Sequence, residues 1–105
     1  MQMTNVYQDI PKDIQEELFE EILKSENVKI ERIISESHTS PKEGWYESEK
    51  NEWVIVLQGE AKLLYEDGKE RELKRGDYEN IPAMKKHKVS HTSLSEQTIW
   101  LAIHY

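Results

Sequence analysis

The sequence predicts a single all-β domain, an antiparallel sandwich or barrel, with one short helix in front of it. Three observations predict this. From residue 28 onward, apolar and polar residues alternate with a period of two. Gly, Pro, Asp and Asn cut that stretch into about eight short segments, the spacing of a sandwich or barrel. Only residues 11–25 repeat near 3.6, and no strand–helix–strand rhythm is present. A chain of 105 residues has room for one core.

Pro11 suits the first position of a helix, where its missing N–H costs nothing. Ile14, Leu18 and Ile22 then recur every four residues, and Phe19 and Leu23 widen the stripe. Glu16, Glu17, Glu20 and Glu21 fall on the opposite side, so residues 1–26 are expected to carry an amphipathic helix and residues 27–105 the barrel. Val28, Ile30, Arg32 and Ile34 alternate with Lys29 and Glu31 as a strand. Residues 38–44 are a loop, 45–47 a short strand and 48–51 a polar turn. Residues 52–58, EWVIVLQ, form a strand that is apolar on both faces, and Gly59 breaks it. Ala61, Leu63 and Tyr65 alternate along the next strand, and Asp67-Gly68 is a strong hairpin signal. Residues 70–73 return, residues 75–77 turn, and residues 78–81 run to Pro82. His87, Val89 and His91 alternate along a further strand, and residues 98–105 close the sheet region.

Composition narrows the function classes. Only 36% of residues are apolar and 33% are charged, yet nine aromatic residues are too many for a solvated tail. The thin apolar supply and the two-faced strand at 52–58 predict a homodimer. There is no cysteine, so disulfides, thiol nucleophiles and zinc knuckles are excluded. No apolar run reaches the length of a membrane span, and residues 1–9 lack the pattern of a signal peptide, so a cytoplasmic protein is expected. The net charge is −7, and residues 1–52 carry all of it, with 13 acids against 6 bases. Nucleic acid is not an expected partner, because Lys and Arg are not clustered. Lys85 and Lys86 beside His87 are the one basic group, read either as a solvated loop or as a rim that attracts a small anion. No P-loop, GxGxxG or nucleophile elbow occurs, so no nucleotide cofactor is expected.

Two segments in order resemble the cupin signature. Glu52, six residues and Gly59 match the end of its first motif; Gly76, five residues, Pro82 and His87 match its second. More narrowly, the chain is similar to small single-domain cupins of bacterial or archaeal type in residues 31–34, 40–46, 51–54, 58–61 and 99–105. The resemblance implies a cupin double-stranded β-helix, jelly-roll-like, with a small-molecule pocket inside. In many cupins that pocket holds a divalent metal (Zn, Fe, Mn or Ni) on two His and a Glu of the first motif and a His of the second. Here the two first-motif His slots fall on Trp45 and Glu47, so the ligand set the resemblance leaves is Glu47, Glu52 and His87. Met84 takes a Gly-like slot and His91 the slot usually held by Asn.

The residues themselves leave two readings open. If Glu52 points inward, a carboxylate held among apolar residues must be protonated, hydrogen-bonded, paired or metal-bound. Alternatively, Glu47 and Glu52 sit at the mouth of the barrel, solvated or paired with Arg32. Pocket candidates by alternation are Arg32, Trp45, Val54, His91, Trp100 and His104, with His38 from the loop and Met84 beside the second motif. His87 and His91 would lie ~13 Å apart on a straight strand, so they cannot share an ion. The functions that fit are a metal-dependent small-molecule cupin, a metal-free binding or sensing module, or an interaction module using the acidic helix.

Overall fold

The structure is a computed structural model that describes residues 4–105; residues 1–3, part of the stretch read above for a leader and a helix, lie outside the described residues. Eight strands follow in order: β1 (Leu18–Lys24), β2 (Lys29–Ser35), β3 (Glu52–Gln58), β4 (Glu60–Tyr65), β5 (Glu70–Lys74), β6 (Tyr78–Ile81), β7 (His87–Thr92) and β8 (Thr98–His104). They form a five-stranded sheet, β1-β2-β8-β3-β6, and a three-stranded sheet, β5-β4-β7, with every pairing antiparallel. The inner faces meet in one core that includes Val54, Val56, Trp100 and Ala102 from the larger sheet and Ala61, Leu63, Tyr65 and Leu73 from the smaller. Each side of that core is every second residue of its strand, as the period of two predicts.

The expected helix is not formed: among the described residues there is no helix, and residues 18–24 are an edge strand. Asp9 and Asp13 adopt positive φ (52° and 56°), which no helix accommodates. The decisive term is tertiary. β1 supplies the partner for the edge of β2, Leu18 opposite Ile34 and Phe19 opposite Ile33, and the backbone ladder overrides a local period that fits a helix. The acids do not form one solvated face either. Glu20 stands opposite Arg32 on the outer side of the sheet, and Glu17 turns toward the inner side.

Arg32 is the most consequential residue of the outer face. It is 1% exposed, and its guanidinium makes two hydrogen bonds to Glu20, at 3.0 and 2.8 Å. Its remaining N–H groups donate to the carbonyls of Val6, Gln8 and Asp9. A buried guanidinium is tolerable only when its fork of donors is filled in this way. The same bonds fasten the N-terminal segment across the outer face, helped by Tyr7 donating to the Leu57 carbonyl and Gln97 to the Pro11 carbonyl. Arg32 is therefore a structural clasp and does not reach the inner face, because it lies one residue out of phase with Glu31 and Ile33.

Gly59 makes the tight step from β3 to β4. Its φ is +79°, and a Cβ there would stand 2.6 Å from the Thr98 hydroxyl and 2.9 Å from Thr98 Cα. Thr98 is itself pinned, its hydroxyl donating to the Glu60 carbonyl. The glycine shared by the motif match is thus demanded here by both conformation and space.

Replacing Arg32 with Ala removes its bonds to Glu20 and to the Val6, Gln8 and Asp9 carbonyls and opens a void, so Arg32→Ala is expected to lower unfolding free energy in urea by about 2–4 kcal/mol. Glu20→Gln, which leaves the carbonyl partners in place, is expected to cost under about 1 kcal/mol. Equal losses in the two variants would show that the carbonyl clasp contributes little.

Candidate functional site

Between the sheets lies a cavity of about 260 Å³. The larger sheet supplies Glu31 and Ile33 of β2, Glu52 and Val54 of β3, and Trp100 and His104 of β8. The smaller sheet supplies Leu63 of β4 and His87 and Val89 of β7. Tyr46, Glu47 and Ser48 close one side, and Phe19 and Glu17 another. Alternation explains the assignment: residues one position away on the same strands, such as Trp53, Arg32 and Leu101, face out.

Two carboxyl–imidazole pairs line this cavity. His87 Nε2 lies 3.7 Å from Glu52 Oε1, within ion-pair reach, and both side chains are largely buried. His87 Nδ1 lies 2.9 Å from the Lys85 carbonyl, an acceptor, so Nδ1 carries the proton and Nε2 turns to Glu52. A single antiparallel bridge between Tyr46 and His87 fixes the backbone at this point. Burial alone would lower the His87 pKa; the Glu52 carboxylate and the Lys85 carbonyl outweigh it and hold the pKa above the usual 6.5. In the second pair, His104 Nε2 lies 2.8 Å from Glu31 Oε1, and Lys29 approaches the other Glu31 oxygen at 3.4 Å. The pairs adjoin, because Glu52 and His104 are opposite residues of β3 and β8.

A third polar group completes the wall. Trp100 Nε1 donates to Ser35 Oγ at 3.2 Å, and Ser35 Oγ in turn donates to Glu17. Burial pushes the Glu17 carboxyl upward, against the opposing effect of that hydrogen bond. Among the described residues no buried side-chain nitrogen or oxygen lacks a partner.

Of the predicted site residues, Glu47, Glu52, Val54, His87, Trp100 and His104 line the cavity. The others lie elsewhere, each for a visible reason. His38 is spent as a loop clasp: its Nδ1 accepts from the Glu36 amide and its Nε2 donates to the Gln15 carbonyl. Trp45 turns outward beneath Lys88, whose Nζ lies 4.3 Å from the ring centroid. His91 breaks the alternation that would carry it inward, because β7 bulges at Ser90: Val89 pairs with Leu63, but His91 pairs with Lys62 and faces out near Glu60. Met84 is 57% exposed at φ +65°, a conformation that suits the Gly its slot usually holds. Lys85 Nζ lies over the Tyr65 ring, 4.2 Å from its centroid, and Lys86 pairs with Glu66 at 3.6 Å. Neither lines the cavity, so the anion-attracting rim is not formed there.

Glu31, Glu17 and Ser35 were missed. The signal was present in residues 31, 33 and 35, which share a period of two with Ile33 at the centre, but the richer apolar face of Val28, Ile30 and Ile34 drew the inward assignment. Glu17 had no such signal, since its placement follows from β1 being a strand.

Glu52 and His87 converge, and Glu47 lines the same cavity, but among the described residues no three His, Asp or Glu side chains come together as an ion requires. Trp45, in a slot that would supply an imidazole, faces away. The donor set does not fit a three-ligand centre in this arrangement.

Comparison with known proteins bears on the whole chain. Residues 35–104 match the family described as Cupin domain. A candidate mannose-6-phosphate isomerase from Ralstonia eutropha JMP134 superposes with a TM-score of 0.92 at 38% identity, covering 97% of this chain and 95% of its own. A cupin superfamily protein from Desulfitobacterium hafniense DCB-2 gives 0.74 at 21% identity, over 90% of this chain and 82% of its own. The EutQ protein of Clostridium difficile gives 0.67 at 14% identity, over 85% and 67%. The last two likenesses show the fold alone. No curated protein matches.

Because the His87 pKa is raised on folding, the Glu52–His87 pair contributes stability that is complete below about pH 6.5 and is lost as pH rises through the folded value. In urea unfolding between about pH 5 and pH 8, the stability advantage of the wild type over Glu52→Gln is therefore expected to shrink as pH rises. An advantage that grows with pH would contradict the pairing.

Proposed function

The chain belongs to the Cupin domain family, and we propose that it is a small-molecule-binding member whose cavity works through the chain's own carboxyl–imidazole pairs. One observation supports this above the others: Glu52 and His87, the motif Glu and His, face each other within 3.7 Å inside a cavity whose remaining walls are mostly apolar. Pockets of this kind, apolar with a few convergent polar groups, are where small ligands bind. His87, held by the Lys85 carbonyl with Nε2 directed to Glu52, is placed to take or give a proton at Nε2. Glu31 and His104 offer a second such centre. Whether a bound molecule is also transformed is a question of the ligand, since one fold hosts many chemistries.

This reading departs from the divalent-metal expectation, which needs Glu47, Glu52 and His87 to converge. Elemental analysis of untagged protein is expected to find metal well below one ion per chain. A thermal-shift screen of small metabolites, run in chelator, is expected to find a ligand that raises Tm in the wild type and not in Glu52→Gln. Stoichiometric metal that leaves with Glu52→Gln and His87→Ala, or a ligand effect that needs added divalent ion, would overturn it in favour of the metal-dependent reading.

The homodimer remains part of the proposal. Trp53, Ile55, Leu101 and Ile103 leave a half-buried apolar area on the outer face of the larger sheet. Sedimentation equilibrium at micromolar concentration is expected to give twice the chain mass, reduced to one by Leu101→Glu; a monomeric wild type would remove the dimer.

A further inference from the structure

The charge of the cavity wall limits what can enter it. Four carboxyl side chains line it, Glu17, Glu31, Glu47 and Glu52, and no Lys or Arg does. The cations nearest in sequence are committed elsewhere. Arg32 is buried on the opposite face, Lys85 and Lys86 lie against Tyr65 and Glu66, and Lys88 covers Trp45 and donates to the Lys42 carbonyl. Lys29 neutralises part of Glu31 from outside, with its own side chain 43% exposed. The two imidazoles answer two of the carboxyls, and Glu17 is met by the Ser35 hydroxyl with His38 nearby, which leaves Glu47 without a partner among the described residues. A phosphate or carboxylate brought into this space would lose its water and meet like charge, a costly exchange in a partly desolvated site.

The rest of the lining has the complementary character. Phe19, Tyr46 and Trp100 contribute aromatic surface, and Ile33, Leu63 and Val89 aliphatic surface. Aromatic rings beside carboxylates attract cations through both the ring quadrupole and the charge. Resting on the small-molecule reading of the same cavity, we infer that its ligand is a small organic cation, a protonated amine carried on an apolar body, and not an anionic ester. The amine hydrogen-bonds to the Glu47 carboxylate and to the Glu52 oxygen that does not face His87, and the apolar body lies against the aromatic and aliphatic walls.

Three probes of one shape separate the charge requirement from simple cavity filling: 2-phenylethylamine, 2-phenylethanol and 2-phenylethyl phosphate. Each is titrated at pH 7.5 into isotopically labelled protein, and amide and imidazole shifts of the cavity residues are followed by NMR. The amine is expected to bind at least about tenfold tighter than the alcohol, which corresponds to a charge-assisted contact, with the phosphate weakest. Its affinity is expected to fall with added salt, a readout that needs no variant. Glu47→Gln and Glu52→Gln, made singly, are expected to bring the amine toward the alcohol. Equal binding of all three, or preference for the phosphate, overturns the cation inference and leaves the cavity as a binding site; a divalent ion held at Glu52 and His87 would produce that preference. If none of the three moves a cavity signal, the inference and the small-molecule reading fall together.

Discussion

A carboxylate enclosed between two sheets must find a donor, a cation or a proton, and the inner face of this protein is arranged around that requirement. Glu52 meets His87, Glu31 meets His104 and Lys29, and Glu17 meets Ser35. Apart from Lys29, which shares β2 with Glu31, each partner comes from a different part of the chain from its carboxyl, so the pairs form only when the sheets close with the right register. β8 is central to this. It lies between β2 and β3, places His104 opposite Glu52, and carries Trp100 to the Ser35 hydroxyl. A one-residue slip of β8 would put Ile103 where His104 belongs and leave the Glu31 carboxylate without its imidazole.

The outer face solves the same problem with the charges exchanged. Arg32 is a buried cation, and it is answered by Glu20 and three carbonyls of the N-terminal segment. That arrangement gives residues 4–17 a defined course without a helix. It also links the edge strand β1 to the site, since the segment that brings Glu20 to Arg32 brings Phe19, one residue before it, and Glu17, three residues before it, to the cavity. The −7 charge is therefore distributed by face as well as by sequence, with some of its acids clasping the fold and others lining the pocket.

Much of the sheet region was legible. Residues 52–58, 60–65 and 98–104 announce themselves through alternation and through Gly59, and the spacing of Glu52, Gly59, Gly76, Pro82 and His87 is carried into the structure as two strands facing one cavity. The misread elements share a cause: local period cannot see a neighbour. Ile14, Leu18 and Ile22 fit a helical stripe, but the open edge of β2 takes the segment as a strand. His91 shares the parity of His87, but the extra residue at Ser90 reverses it. Lys85 and Lys86 are adjacent to a site residue in the chain and separated from the site in space, because the turn before β7 directs them toward Tyr65 and Glu66. Glu17 was beyond reach from sequence, since its role depends on the strand that the period concealed.

The central claim is that the cavity's polar centre is held by protein groups alone, with His87 protonated at Nδ1 and its Nε2 facing Glu52. The imidazole nitrogen shifts of His87, followed by long-range ¹H–¹⁵N NMR across pH, test it most directly. The account predicts a single Nδ1–H tautomer at high pH that gains a proton at Nε2 with a midpoint above 6.5. An Nε2 that never protonates across that range, with a shift fixed by an ion, would contradict it.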